Sequence, residues 1–149
     1  YLKKNVLWPA YGNHDGGPYF PALFELQGRY YYSFDYGNAH FIALDSYGAG
    51  AGGAGRRKQL EWLAEDLAAN DKPWTIAYLH VPMVATNPGL KWFGEDDFLP
   101  LLEKHGVDVV FSGHHPHYRR YHAIGSPGAK PILHITSGDE MAFLADVAS

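Results

Sequence analysis

The chain has 149 residues, 46% hydrophobic and 19% charged, with a formal charge of −4 and no cysteine. That composition belongs to a folded domain rather than a disordered segment, and without cysteine there can be neither a disulfide nor a thiolate metal site. The mild negative charge, with basic clusters no longer than Arg56-Arg57-Lys58, argues against nucleic acid as a partner, and no apolar run reaches membrane-spanning length.

Asn5 to Ala10 is apolar and reads as a buried strand that delivers Gly12-Asn13-His14-Asp15 into a loop, which Gly16-Gly17-Pro18 extends. Tyr30 to Asp35 and His40 to Asp45 are β-rich runs, and the Gly37-Asn38 pair between them suits a tight hairpin turn. Ala49 to Gly55 is a short flexible stretch. Arg57 to Asn70 should be a helix, with Leu60, Leu63, Ala64 and Leu67 on one stripe and Glu61, Glu65 and Asp66 off it. Trp74 to Leu79 reads as a buried strand ending at His80. The loop from Val81 to Gly94 follows, with Trp92 and Phe93 as expected cleft contacts. Glu95 to His105 is expected to be a second helix, with Pro100 inside it and Gly106 closing it. Val107 to Phe111 is another strand, running into Gly113-His114-His115-Pro116-His117. Tyr121 to Ile124 and Pro131 to Thr136 are two more, around a Ser126-Pro127-Gly128 turn.

Alternating strands and helices predict a mixed α/β domain, a sheet with helices packed on it. In such sheets the reactive side chains gather in loops beyond the strand ends. Gly12-Asn13-His14-Asp15, His80 and the histidine cluster each follow a predicted strand, so one placement rule brings them together. Asn13 offers an amide oxygen, and His80 and His114 offer imidazole nitrogens. Three such groups suit a transition ion such as zinc, iron or manganese. His14, next to Asn13, is expected to face a substrate phosphate as hydrogen-bond donor or proton source, with Asp15 orienting its ring. His40, His105 and His134 read as structural, and His122 is open to either reading. Arg119-Arg120 stands beside the histidine cluster, where an anion would sit.

These residues resemble the motifs of the calcineurin-like metallophosphoesterases, in their purple acid phosphatase-like branch. Gly12-Asn13-His14-Asp15 is similar to the family's Gly-Asn-His-Asp/Glu motif, His80 to its isolated metal-binding histidine, and Gly113-His114 to the start of its Gly-His-x-His motif. The run from Tyr31 to Asp45 looks like the family's hairpin, and Gln59-Leu60-Glu61-Trp62-Leu63 like the helix after it. The resemblance implies an α/β (α+β) fold, a metallophosphoesterase-type β-sandwich flanked by helices. It implies two metal ions (Fe, Zn or Mn, divalent or trivalent) in the intact family, with Asn13, His80 and His114 on one of them and His14 at the substrate phosphate. The implied reaction is hydrolysis of a small phosphate ester by a metal-activated hydroxide, phosphomonoesters before phosphodiesters. A secreted or periplasmic address is a guess at the family level, and nothing in the sequence fixes the oligomeric state.

Two departures from the pattern shape the expectation. The family's Asp-x-His and Gly-Asp motifs precede Gly-Asn-His-Asp/Glu, and residues 1–11 contain no Asp, Glu or His. Residues 1–149 are therefore expected to be one partial catalytic domain, its C-terminal part, without its N-terminal strands and without part of the dinuclear site. The family spacing also puts a histidine where Pro116 stands. His117 replaces that ligand if a bulge shifts the loop. His115, expected to point away from His114 by strand alternation, could contact substrate. The alternative is a non-catalytic binding module that keeps the fold and one relic metal site.

Overall fold

The computed structural model describes residues 6–15, 19–84, 93–122 and 128–137. In chain order the elements are α1 (Phe20–Leu23), β1 (Tyr32–Tyr36), β2 (Ala39–Leu44), α2 (Gly53–Ala69), β3 (Trp74–Leu79), α3 (Phe98–Lys104), β4 (Val109–Ser112), β5 (Arg119–His122) and β6 (Leu133–Thr136). The strands form one six-stranded sheet in the order β1-β2-β3-β4-β6-β5. The four central strands β2, β3, β4 and β6 run parallel, and the two outer strands pair antiparallel to their neighbours. The parallel strands put the ends of β2, β3, β4 and β6 along a single edge, which is where the site lies.

The hairpin forms as its turn residues dictate. Tyr36 pairs with Ala39, leaving Gly37-Asn38 as a two-residue connection, and Gly37 takes φ of 60°. A positive φ at the first turn position matches the right-handed twist of the flanking strands and suits glycine. β3 occupies the predicted bounds.

Strand pairing sorts the side chains into two faces. Ile42, Ala77, Val110 and His134 share one face across β2, β3, β4 and β6. That face packs against Leu63 and Leu67 of α2 and Phe98, Leu99 and Leu102 of α3, and this layer is the hydrophobic core. The other face carries Phe34, Phe41, Tyr78 and Phe111. It is more open, with Phe111 40% exposed.

Several local expectations shift. Residues 6–10 are not a strand, and Val6, Leu7 and Trp8 are largely exposed. Their apolar character goes into contact with the open sheet face instead: Trp8 stacks on Phe34 with ring centroids 4.0 Å apart, and Tyr32 Oη donates to Pro9 O at 2.7 Å. α2 starts four residues early, so Gly53 to Gly55 of the supposed flexible stretch are helical. α3 starts three residues late. Asp97 caps it by accepting the Phe98 N–H at 2.8 Å, which places Pro100 in the first turn, where its missing N–H costs nothing. The same carboxylate takes the Arg56 guanidinium on both oxygens, tying α3 to α2. β5 begins at Arg119, two residues before the predicted start. Trp92, most of the Val81–Gly94 loop, Gly16-Gly17-Pro18 and the Ser126-Pro127 turn lie outside the described residues.

Candidate functional site

His80 is the first residue beyond β3, and His114 stands two residues beyond β4. The neighbouring parallel strands bring both rings to one edge, with centroids 5.0 Å apart and nearly perpendicular. Asn13 comes to the same point from the N-terminal segment. His80 Nε2 lies 2.5 Å from Asn13 Oδ1 and 3.1 Å from His114 Nδ1. A cleft of about 310 Å³ opens there, lined by Asn13, His14, His80, His114 and His115, with Pro116 and Ser137 closing it.

The backbone around these side chains is specialised. A Cβ on Gly12 would come within 2.8 Å of the His80 ring, so the approach of the two segments requires glycine at position 12. His114 has φ of 68°, in the left-handed region that non-glycine residues seldom occupy. Strain of that kind collects at functional sites. The chain leaves strand geometry after Ser112, so strand alternation no longer governs the next residues. His115 consequently lines the same cleft as His114, with the two rings 5.5 Å apart. His117 is exposed and is not among the residues around the cleft.

Asp15 also has a backbone role. Its Oδ2 accepts the Gly12 N–H at 2.7 Å, closing the turn that carries Asn13 and His14. It fixes the backbone of the motif.

Electrostatics favour the ligating form of His80. Burial holds its pKa below the usual histidine range, the neighbouring His114 and His14 push the same way, and Asp15 opposes them. Burial also lowers His115, helped by His114, Arg119 and His117. A neutral imidazole keeps the lone pair that a cation needs.

The donor set itself tests whether an ion fits. Among the described residues, no group of three or more His, Asp or Glu side chains is placed to hold an ion, so an ion at His80 and His114 would need Asn13 as its third donor. An amide oxygen and two imidazole nitrogens meeting at one point present more lone pairs than protons. Ligand atoms bound at about 2.0–2.2 Å to one transition ion stand roughly 3 Å from each other. The 3.1 Å from His80 Nε2 to His114 Nδ1 matches that, and the 2.5 Å to Asn13 Oδ1 is shorter. By donor type the three side chains fit a transition ion.

Two contributors went unnoticed in the sequence. Ser46 follows β2 and Ser137 follows β6, both on the site's edge. Ser137 lines the cleft, and its N–H donates to Ser112 O at 2.8 Å. The rule that found His80 and His114 would have found both serines had it been applied to every strand end.

The chain is similar to known proteins over most of its length. A family model described as calcineurin-like phosphoesterase matches residues 1–118. Purple acid phosphatase 22 of Arabidopsis thaliana is 38% identical over 117 residues, covering 73% of this chain and 26% of the relative. Purple acid phosphatase 18 of the same plant is 35% identical with the same coverage. The chain thus spans about a quarter of the length of these relatives. Among solved structures, a purple acid phosphatase from yellow lupin seeds superposes with a TM-score of 0.57 at 23% identity, over 75% of this chain and 23% of that one. A Plasmodium protein described as the anchor in the inner membrane complex gives a TM-score of 0.53 at 19% identity, over 73% and 37% of the two chains. At those identities the structural likenesses establish the metallophosphoesterase fold alone. With a family match over most of its length, the chain belongs to the calcineurin-like phosphoesterases, and the two plant relatives named above are purple acid phosphatases.

Proposed function

We propose that this chain is part of a metal-dependent phosphoric ester hydrolase acting on small phosphomonoesters in preference to diesters. The convergence of Asn13 Oδ1, His80 Nε2 and His114 Nδ1 carries the reading. These three would hold a divalent or trivalent transition ion: iron, zinc or manganese. Such an ion supplies Lewis acidity at a phosphoryl oxygen and acidifies water.

The rest falls to the chain's own side chains. His14, exposed on the cleft wall, donates a hydrogen bond to the phosphoryl group or a proton to the departing oxygen. His115 contacts the ester from the opposite loop, with the Arg119 charge close enough to depress its pKa. Asp15 keeps Asn13 and His14 in register through the Gly12 N–H. A cleft of about 310 Å³ suits a small ester rather than a polymer. A secreted or periplasmic address goes with this reading by family resemblance.

One observation favours a second reading. Among the described residues no carboxylate joins the three donors, which is short of a two-ion set. A binding module that keeps one ion site would look the same.

The test uses the whole natural protein. Metal content is measured, and turnover is followed on p-nitrophenyl phosphate and bis(p-nitrophenyl) phosphate. Bound metal with faster monoester turnover supports the hydrolase. Bound metal with neither ester turned over supports the module. Absence of bound metal removes both.

A further inference from the structure

Asp45 is fully buried just beyond β2, and its carboxylate accepts three backbone N–H groups, from Tyr47 at 3.0 Å, Gly48 at 2.5 Å and Gly50 at 2.6 Å. Gln59 of α2, also fully buried, closes the loop from behind. Its Oε1 accepts the Asp45 N–H at 2.8 Å, while its Nε2 donates to Asp45 O at 2.9 Å and Gly50 O at 2.8 Å. Gly48 and Gly50 have to be glycine, because a Cβ on either would come within 2.9 Å of Asp45 Oδ2. Six hydrogen bonds and a buried carboxylate therefore fix one short loop. A buried carboxylate is costly unless it is fully hydrogen-bonded, so such a loop is rigid once formed.

What the loop offers outward is the Ser46 hydroxyl. Ser46 Oγ accepts the Val81 N–H at 2.8 Å. The carbonyl of the same peptide unit, His80 O, accepts the Gly113 N–H at 2.9 Å. Both polar ends of the His80–Val81 peptide are thus held, one by the loop after β2 and the other by the loop that carries His114. Fixing that plane fixes ψ of His80 and with it the direction in which the imidazole leaves the backbone. The Tyr47 ring stands edge-on to His80, with centroids 6.5 Å apart.

We infer that Ser46 is a positioning residue for His80, aiming its Nε2 at the point where Asn13 and His114 converge. The inference rests on the ion site proposed above. Partners one step behind a metal ligand typically alter affinity by about 10–100-fold when removed.

The test uses Co²⁺ as the probe on the whole protein, read by its d–d absorption and by titration. Ser46→Ala is expected to lose about tenfold in Co²⁺ affinity and to change the absorption band, with far-UV circular dichroism unchanged. Ser46→Thr, which keeps the hydroxyl, is expected to restore both. A folded Ser46→Ala protein with wild-type affinity and spectrum overturns the inference and leaves the ion site standing. Wild-type protein that takes up no Co²⁺ overturns the ion site and the inference with it. Amide hydrogen exchange of wild-type Val81 gives an arm that needs no variant. Slow exchange is expected, and exchange at the rate of a free loop amide overturns the proposal.

Discussion

His40 at the start of β2 and Asp66 on α2 are joined by a 2.8 Å hydrogen bond between Nε2 and Oδ2, while the other ring nitrogen of His40 lies 2.7 Å from Asp35 on β1. One imidazole therefore ties the hairpin to the helix, at the opposite edge of the sheet from the cleft. Burial pushes its pKa down, but the two carboxylates more than offset that and hold it above the ordinary histidine value. A folded-state pKa above the unfolded value of 6.5 means that folding favours the protonated ring. The stability it contributes is complete below pH 6.5 and disappears as pH rises through the raised pKa. His40→Ala is expected to lower stability by about 1–3 kcal/mol at pH 6, since the half-buried Asp66 loses the partner of its Oδ2. Denaturant melts of wild type and variant across pH 6 to 9 check this; a difference that does not shrink with rising pH would refute it.

Gly12→Ala should damage the site without unfolding the domain. The added Cβ would meet the His80 ring at 2.8 Å, and neither the ring nor the Asp15-bound turn can move without separating Asn13 from His80. A loss of at least about tenfold in Co²⁺ or Mn²⁺ affinity is expected, comparable to removing a partner of a ligand. Titration of the variant against wild type, with circular dichroism to verify folding, settles it.

The hairpin, β3 and the strand-end placement of His80 and His114 were legible because each depends on local signals. A Gly-Asn turn, an uninterrupted apolar run and a glycine before a histidine act within a few residues of themselves. The segment from Val6 to Ala10 was misread because apolarity does not say what it will meet. Trp8 meets the face of Phe34 rather than a neighbouring strand. Asp66 and Gln59 were equally opaque. Both lie on a helix where polar side chains ordinarily face water, yet their partners His40 and Asp45 are 26 and 14 residues away in sequence. Only packing α2 onto the sheet creates those pairs. The backbone role of Asp15 was equally hidden, because its carboxylate meets the Gly12 N–H only once the turn has closed.

His14→Ala separates chemistry from binding. His14 lines the cleft but is not one of the three converging donors. Turnover of p-nitrophenyl phosphate by the whole protein should fall by about 10²–10⁴-fold, the usual contribution of a positioned acid or base. Metal content should be nearly unchanged. Loss of metal together with activity would instead make His14 part of the ion's support.

His134 titrates in the opposite sense to His40. It is buried on the core face of β6, and burial pushes its pKa down to about 4, with Glu103 opposing that shift. The unfolded chain then takes up a proton near pH 6.5 that the folded chain refuses until about pH 4. Wherever the unfolded state binds more protons, stability falls as pH falls. The cost of His134 should therefore be absent above pH 6.5, grow from there down to about pH 4, and then level off. Asp45, whose pKa burial raises, pulls the other way at the acid end, so the wild-type curve alone cannot isolate the histidine. The difference between wild type and His134→Gln can, because Asp45 is common to both. That difference should move in favour of the variant as pH drops from 6.5 to 4, and a flat difference over that window would mean that His134 is already protonated in the folded protein.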